Sequence, residues 1–255
     1  VAFNTAVIAG VEEYTSWDDV LARPASDGDK VMFMGLKWRY DGTASIWVPA
    51  WVYGETILDK LLVDGDEAND AALVAKGWTV NKAAGGTVTY DGVRVRFKGD
   101  SADADISNVA FTHTGDQDDK YFFYGRVRAD NWRGTPYWAG CIAGLDDGTH
   151  SRQFSFLYTS ATDYAGFIGN MAKKGEADVS IDFTTERFVL IFWRKTTGEK
   201  ASYAWVQGGA WLPAPNYAYT GTTFTGTASK RLGIGVLSSG AGSDVHVRDV
   251  VFARY

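Results

Sequence analysis

Val93-Arg94-Val95-Arg96-Phe97-Lys98 alternates apolar and basic residues without a break. Side chains in a strand repeat every two residues, so this segment predicts one buried face and one wet face. Residues 87–90 read as a partner strand, and Asp91-Gly92 between the two is a hairpin turn pair. Short apolar runs separated by turns continue to the end of the chain. Residues 121–128, 138–145, 152–158, 165–169, 179–183, 187–193, 202–206, 231–237 and 245–254 all read as strands. No helix longer than a turn is predicted beyond residue 78. About a dozen strands in that stretch predict a mainly β, antiparallel two-sheet sandwich over residues 78–255.

Residues 1–77 follow a different pattern and predict a small mixed α/β unit. Thr15-Ser16 precede Trp17-Asp18-Asp19-Val20-Leu21, a hydroxyl followed by acids, which is a helix start. Pro24 and Ser26-Asp27-Gly28-Asp29 end that helix. Residues 30–34 and 38–40 read as strands; Asp41-Gly42 then turns the chain into a return arm over 45–49. Trp38, Trp47 and Trp51 are expected in the core of this unit. Residues 66–76 predict a second helix, with acids at its start, Lys76 at its end and Gly77 as the cap.

Charge sharpens that division. Residues 1–77 carry 6 basic and 13 acidic side chains, and residues 78–255 carry 19 and 18, so the excess negative charge lies in the first third. The acidic balance argues against nucleic acid as a partner. No run approaches 18 uncharged apolar residues, so no membrane insertion is expected. A lone Cys141 excludes an internal disulfide framework, and it sits in an apolar strand pattern, where a buried small side chain is expected. Three scattered histidines leave little for a histidine metal centre. The richness in aromatics, 10 Trp and 13 Tyr, suits a β-rich binding module better than an enzyme core.

The last 25 residues, RLGIGVLSSGAGSDVHVRDVVFARY, place a Gly-containing strand, a Gly/Ser turn and a long final strand. Together with YFFYGRVRA and RFVLIFWRK upstream, they resemble the closing and central strands of concanavalin-A-like (laminin-G-like) jelly rolls. Residues 14–54 carry Pro24, Asp27-Gly28-Asp29 and WRYDGTASIWVPAW, and this segment is similar to N-proximal segments of bacteriophage tail-fibre and tailspike proteins. The pair of resemblances implies a virion receptor-binding protein: a homotrimer acting outside the host cell, partnered by other virion proteins and by a cell-surface glycan.

Glycosidases on such a jelly roll place acids as Glu-x-Asp-x-x-Glu on one strand, so that an acid and a nucleophile flank one sugar bond. That triplet is absent; Glu176, Glu186 and Glu199 each stand alone. The Gln-x-His and Tyr-x-Lys-x-Gly strands of alginate lyases on the fold are absent as well, and so is Gly-x-Ser-x-Gly. The expectation is therefore a non-catalytic protein. A polysaccharide-degrading enzyme on the same fold, or a structural head or tail decoration protein, remains the alternative.

No cofactor is expected. The acids of residues 64–70, 116–119 and 146–148 could hold a loop Ca²⁺, against the plainer readings of a helix N-terminus and solvated turns. The stronger lead is aromatic. Trp132, Arg133 and Tyr137 fall in one Gly/Pro-marked loop, and Trp211, Asn216, Tyr217 and Tyr219 in a second. Flat rings suit the CH faces of sugars while Asn and Arg satisfy hydroxyls, so these seven residues are the candidate carbohydrate site. Packing at the sandwich ends or between subunits is the competing reading.

Overall fold

The computed structural model describes residues 7–8, 11–82, 86–98, 105–113, 120–130, 140–146, 151–159, 162–169, 172–173, 183–196, 199–208, 217–221, 230–238 and 244–255. The chain opens with β1 (Val7–Ile8), β2 (Val11–Tyr14), α1 (Trp17–Ala22), β3 (Lys30–Phe33), β4 (Leu36–Asp41) and β5 (Ile46–Pro49). It continues through β6 (Asp59–Val63), α2 (Asp70–Ala75), β7 (Thr79–Lys82), β8 (Thr87–Tyr90) and β9 (Val95–Lys98). Then come β10 (Asp105–His113), β11 (Tyr121–Asp130), β12 (Gly140–Asp146), β13 (Ser151–Thr159), β14 (Thr162–Gly169) and β15 (Ala172–Lys173). β16 (Arg187–Thr196), β17 (Glu199–Val206), β18 (Tyr217–Gly221), β19 (Lys230–Ser238) and β20 (Asp244–Arg254) complete it.

The expected mainly β sandwich is formed by two antiparallel sheets, β15-β14-β13-β12-β19-β10-β7 and β18-β17-β16-β11-β20-β9-β8. A third sheet, β1-β2-β3-β4-β5, belongs to the N-terminal unit; its β2–β3 pair is parallel, with α1 in the crossover. The closing strand β20 lies inside its sheet. It pairs with β11 along one edge; along the other it pairs with β9 through residues 244–247 and with β6 through residues 250–254.

The change of composition between Gly77 and Trp78 is not a break in this packing. β6 is hydrogen-bonded to β20, and Leu61, Val63, Leu73 and Trp78 are buried in the core beneath the second sheet, beside Val95, Phe97 and Phe252. α2 ends in a Schellman turn: Trp78 N–H donates to Leu73 C=O and Gly77 N–H to Val74 C=O, at 3.1 and 2.9 Å. Gly77 has φ +92, and a Cβ there would lie 2.9 Å from Leu61 Cδ2, so glycine is required by both conformation and space. The helix is shorter than the expected 66–76. Glu67 turns back onto the chain instead, and Asn69 caps α2 by accepting from Ala72 N–H at 3.2 Å.

Both faces of the β11–β16–β20 sheet are covered. Tyr121, Phe123 and Val127 point into the sandwich; Phe122, Tyr124, Phe188, Leu190 and Val251 point outward against the N-terminal unit. A strand buried on both sides reads as an unbroken apolar run, which is why Tyr121-Phe122-Phe123-Tyr124 shows no alternation. Trp17 sits at the centre of the outer contact, with ring centroids 4.6 Å from Phe188, 4.9 Å from Trp38 and 5.3 Å from Tyr124. Trp38 and Trp47 are buried as expected, but Trp51 is 42% exposed, a correction. It lies past the end of β5, and its ring rests 5.6 Å from that of Trp205 on the outer face of the sandwich.

Candidate functional site

Trp132, Arg133, Tyr137, Trp211 and Asn216 lie outside the described residues. Tyr217 and Tyr219 were expected in a loop; they belong instead to β18, where Tyr217 pairs with Ala204 and Tyr219 with Ser202. β18 is an edge strand paired with β17 along one side, and the alternation Tyr-Ala-Tyr-Thr suits it. Residues 116–119 and 147–148 also lie outside the described residues, and Asp146 ends β12. In the turn before α2, the carboxylates of Asp64, Asp66 and Glu67 approach within 4.8 Å of one another. Lys76 supplies the positive charge there, donating to both Asp64 and Glu67 at 2.5 Å. Glu67 also accepts from the N–H groups of Asp64 and Gly65, both at 2.8 Å. Burial opposes ionisation of Glu67, but these donors outweigh it and hold its carboxyl below the usual range.

An open cleft of about 550 Å³ lies on the N-terminal unit. Its walls carry Asp27, Asp41, Tyr53, Glu55, Asp59 and Lys60. Tyr53 is held from two sides: its hydroxyl donates to Asp27 Oδ2 at 3.2 Å, and the Arg39 guanidinium stacks 3.6 Å from its ring centroid. Asp27 is in turn fixed by the Gly42 N–H at 2.9 Å. The cleft thus combines a positioned aromatic ring with carboxylate acceptors and the hydroxyls of Thr43 and Thr56. Lys120 at 3.4 Å from Glu55 and Arg254 at 2.5 Å from Asp59 offset part of its negative charge. The sequence signal for it was present in Asp27-Gly28 and in Tyr53 after the Trp-rich hairpin, but only folding brings those two segments together.

No protein-family model matches the chain, and no curated protein matches it in sequence. Solved structures match it in fold. Lectin II from Ulex europaeus is similar with a TM-score of 0.50 and 11% identity, over 78% of this chain and 99% of its own. The fold is a concanavalin-A-like jelly roll. The lectin UEA-II complexed with galactose matches with a TM-score of 0.50 and 10% identity, over 78% of this chain and 99% of its own. A protein of unknown function from Shewanella oneidensis MR-1 matches with a TM-score of 0.50 and 9% identity, over 76% and 85%. At such identities the likeness is one of architecture.

The N-terminal unit is clamped to the jelly roll by a chain of ions. Opposite Gly125 in β11, β20 bulges at Asp249 and Val250, with Asp249 at φ 51. A Cβ on Gly125 would lie 2.7 Å from Val250 Cγ2, so the bulge needs a glycine facing it. Arg126 then pairs with Asp249 and reaches Asp18 of α1. Beside it, Glu186 accepts from Arg248 Nη2 at 2.5 Å and from Arg94 Nε at 2.9 Å. Burial works against ionisation of Glu186, but the two arginines outweigh it and hold its carboxyl below the usual glutamate range. A carboxyl so held is a poor proton donor at neutral pH, so Glu186 does not suit the general-acid role of a glycosidase.

Proposed function

We propose that this protein is a non-catalytic host-recognition protein of a virion that binds a cell-surface glycan outside the host cell, as a homotrimer held among other virion proteins. The observation that carries the glycan reading is the open cleft beside Tyr53. A ring with one face stacked by Arg39 and its hydroxyl fixed on Asp27 can offer its other face to the CH surface of a sugar. Asp41, Glu55, Thr43 and Thr56 are placed to take the sugar hydroxyls. Lectins among the fold neighbours support this reading, and so does the tail-fibre resemblance of residues 14–54 for the virion setting. A shallow site binds weakly, and three linked sites raise the effective concentration of each next contact.

The sign of the cleft selects among glycans. Four carboxylates face Lys60, so uronic and sialic acids are disfavoured and neutral or amino sugars favoured. A glycan array with the full chain is expected to give neutral or amino-sugar hits that Tyr53→Ala abolishes, with no release of reducing ends from any hit. Hits confined to acidic glycans, or binding unchanged in Tyr53→Ala, would remove the cleft as the site. Release of reducing ends by catalytic amounts of protein would replace the non-catalytic reading with the enzyme.

A further inference from the structure

We propose that the ligand of the cleft is a chain of several sugar rings, which runs from Tyr53 onto an aromatic strip on the outer face of the jelly roll and stacks there on Trp51. This inference rests on the glycan-binding reading and adds to it the length of the ligand and a second set of residues. Trp51 and Tyr53 flank Val52, which is 1% exposed and pins the turn. Its N–H donates to Pro49 C=O at 2.8 Å, and its C=O accepts from Glu55 N–H at 2.9 Å. The turn thus places Tyr53 on the cleft and Trp51, two residues away, on the sandwich.

Trp51 is open to solvent, at 42% exposure, and yet its ring is held. It meets Trp205 at 5.6 Å and 34°, and Phe192 at 6.1 Å and 83°. A scattered apolar side chain on a surface needs no explanation. Trp51 instead tops a row of rings that continues from Phe192 to Tyr203 at 6.5 Å and to Tyr255 at 6.1 Å. Tyr203 also meets Trp205 at 6.4 Å. Phe192 and Trp205 are buried and form the floor of the strip, while Tyr203 and Tyr255 are half-buried. Strand register makes the row: Phe192 pairs with Tyr203 and Leu190 with Trp205, so β16 and β17 present these side chains to one face. Rings already held by neighbours lose little freedom when a ligand stacks on them.

The row leads to the cleft. Lys120 Nζ lies 5.2 Å from the Tyr255 ring centroid and 3.4 Å from Glu55 Oε1, and Glu55 is part of the cleft wall. Tyr255 and Lys120 are fixed to each other by two backbone hydrogen bonds, at 3.0 and 3.3 Å. A chain leaving Tyr53 therefore crosses one compensated ion pair before it meets the rings, which suits neutral sugars. The strip is too small to be the seat of a second copy of the protein. At roughly 200 Å² per aromatic side chain, half of Trp51, Tyr203 and Tyr255 amounts to about 300 Å². A stable interface takes about 800 Å² from each partner. A short line of flat rings continuous with a sugar-binding cleft matches the CH faces of successive sugars instead.

The test is calorimetric titration of the full chain with gluco-, manno-, galacto- and N-acetylglucosamine oligosaccharide ladders of one to six rings, beside Trp51→Ala and Tyr53→Ala. In at least one ladder the affinity is expected to rise roughly tenfold or more between one ring and four, the gain one stacked ring can supply. Trp51→Ala is expected to bind four rings about as weakly as the native chain binds one, with oligomeric state and melting temperature unchanged. In a chain labelled with ¹⁵N at tryptophan, the Trp51 indole signal, assigned by its loss in Trp51→Phe, is expected to shift with four rings and not with one. Tyr53→Ala is expected to weaken binding at every length. Native length dependence in Trp51→Ala, or equal affinity for one ring and four in the native chain, overturns the strip and leaves the cleft standing. Length dependence lost in Trp51→Ala and untouched in Tyr53→Ala supports the strip while the cleft reading fails. An oligomer that dissociates in Trp51→Ala makes Trp51 a subunit contact and overturns the proposal. No response to any ladder overturns both.

Discussion

Arg126 and Asp18 join the two parts of the molecule through a bidentate pair, with Nη1 donating to Oδ2 at 2.6 Å and Nη2 to Oδ1 at 2.7 Å. The two side chains differ in exposure: 8% for Arg126 and 64% for Asp18. Arg126 follows Phe122 and Tyr124 on the outward face of β11, where the N-terminal unit covers it. A guanidinium there is tolerable only if it is paired, and Asp249 and Asp18 supply the pairs.

This asymmetry predicts unequal mutants. Asp18→Ala removes an exposed partner and leaves Arg126 on Asp249, so a loss of about 1 kcal/mol is expected in urea unfolding. Arg126→Ala strands Asp249 in the seam and is expected to cost about 3–5 kcal/mol. Equal losses in the two variants would contradict the assignment of Asp249 as the buried partner.

Gly125→Ala is expected to destabilise by about 1–3 kcal/mol, because the new methyl meets Val250 Cγ2 at 2.7 Å and Val250 Cα at 3.2 Å. Combined with Val250→Ala, which removes Cγ2, its cost should fall below the sum of the single changes. Chemical denaturation of the four proteins measures that coupling.

Acid weakens the Glu186 cluster. Its carboxyl titrates below the ordinary glutamate value near 4.5, because hydrogen bonds from Arg248 and Arg94 outweigh burial. A depressed folded pKa adds stability that is complete above that ordinary value and is lost as pH falls through the folded one. Asp249 works with the opposite sign: burial raises its pKa, so its protonation on acidification favours the folded state. Melting temperatures from neutral pH down to about 3 are expected to fall below pH 4.5 in the native chain. Glu186→Gln should melt lower at neutral pH and lose part of that acid dependence. An unchanged acid slope would show that other carboxylates govern it.

Removal of residues 1–54 keeps β6 on β20 but uncovers Phe122, Tyr124, Phe188 and Leu190 on the outer face. A contiguous apolar face of that kind promotes association. The truncated chain is expected to bind a hydrophobic dye and to aggregate, as read by light scattering. A monodisperse truncated chain with no dye binding would show that the face is covered in another way.

Trp211 offers an independent arm for the glycan reading. Pro213 and Pro215 nearby restrict the backbone and reduce the freedom lost on binding. As a glycan contact, Trp211→Ala is expected to weaken array binding by roughly 1–3 kcal/mol with oligomeric state and melting unchanged. A dissociated oligomer or a lower melting temperature would make that segment a subunit contact.

The elements that depend on near neighbours were legible in the chain. Alternation marks β9 over 95–98, although Val93, expected on the same buried face, lies before the strand and is half exposed; Asp91-Gly92 marks its turn and Gly77 the end of α2, because each answers to residues a few positions away. The closing strand at 245–254 was legible for the same reason. What only the tertiary structure decided depends on distant partners. The strand β6 went unread because its hydrogen bonds lie on β20, at the far end of the chain. Trp51 carries the same kind of residue as Trp38, yet it stays partly exposed because the place it rests against, Trp205, is set by the sandwich. The unbroken runs at 121–124 and 188–192 were legible as strands, but not as strands covered on both faces. Only the fold shows that the N-terminal unit supplies the cover and Asp18 a counter-charge for Arg126. Local periodicity chooses the element; burial and charge pairing between segments far apart in sequence choose its neighbours, and the cleft beside Tyr53 exists only where such segments meet.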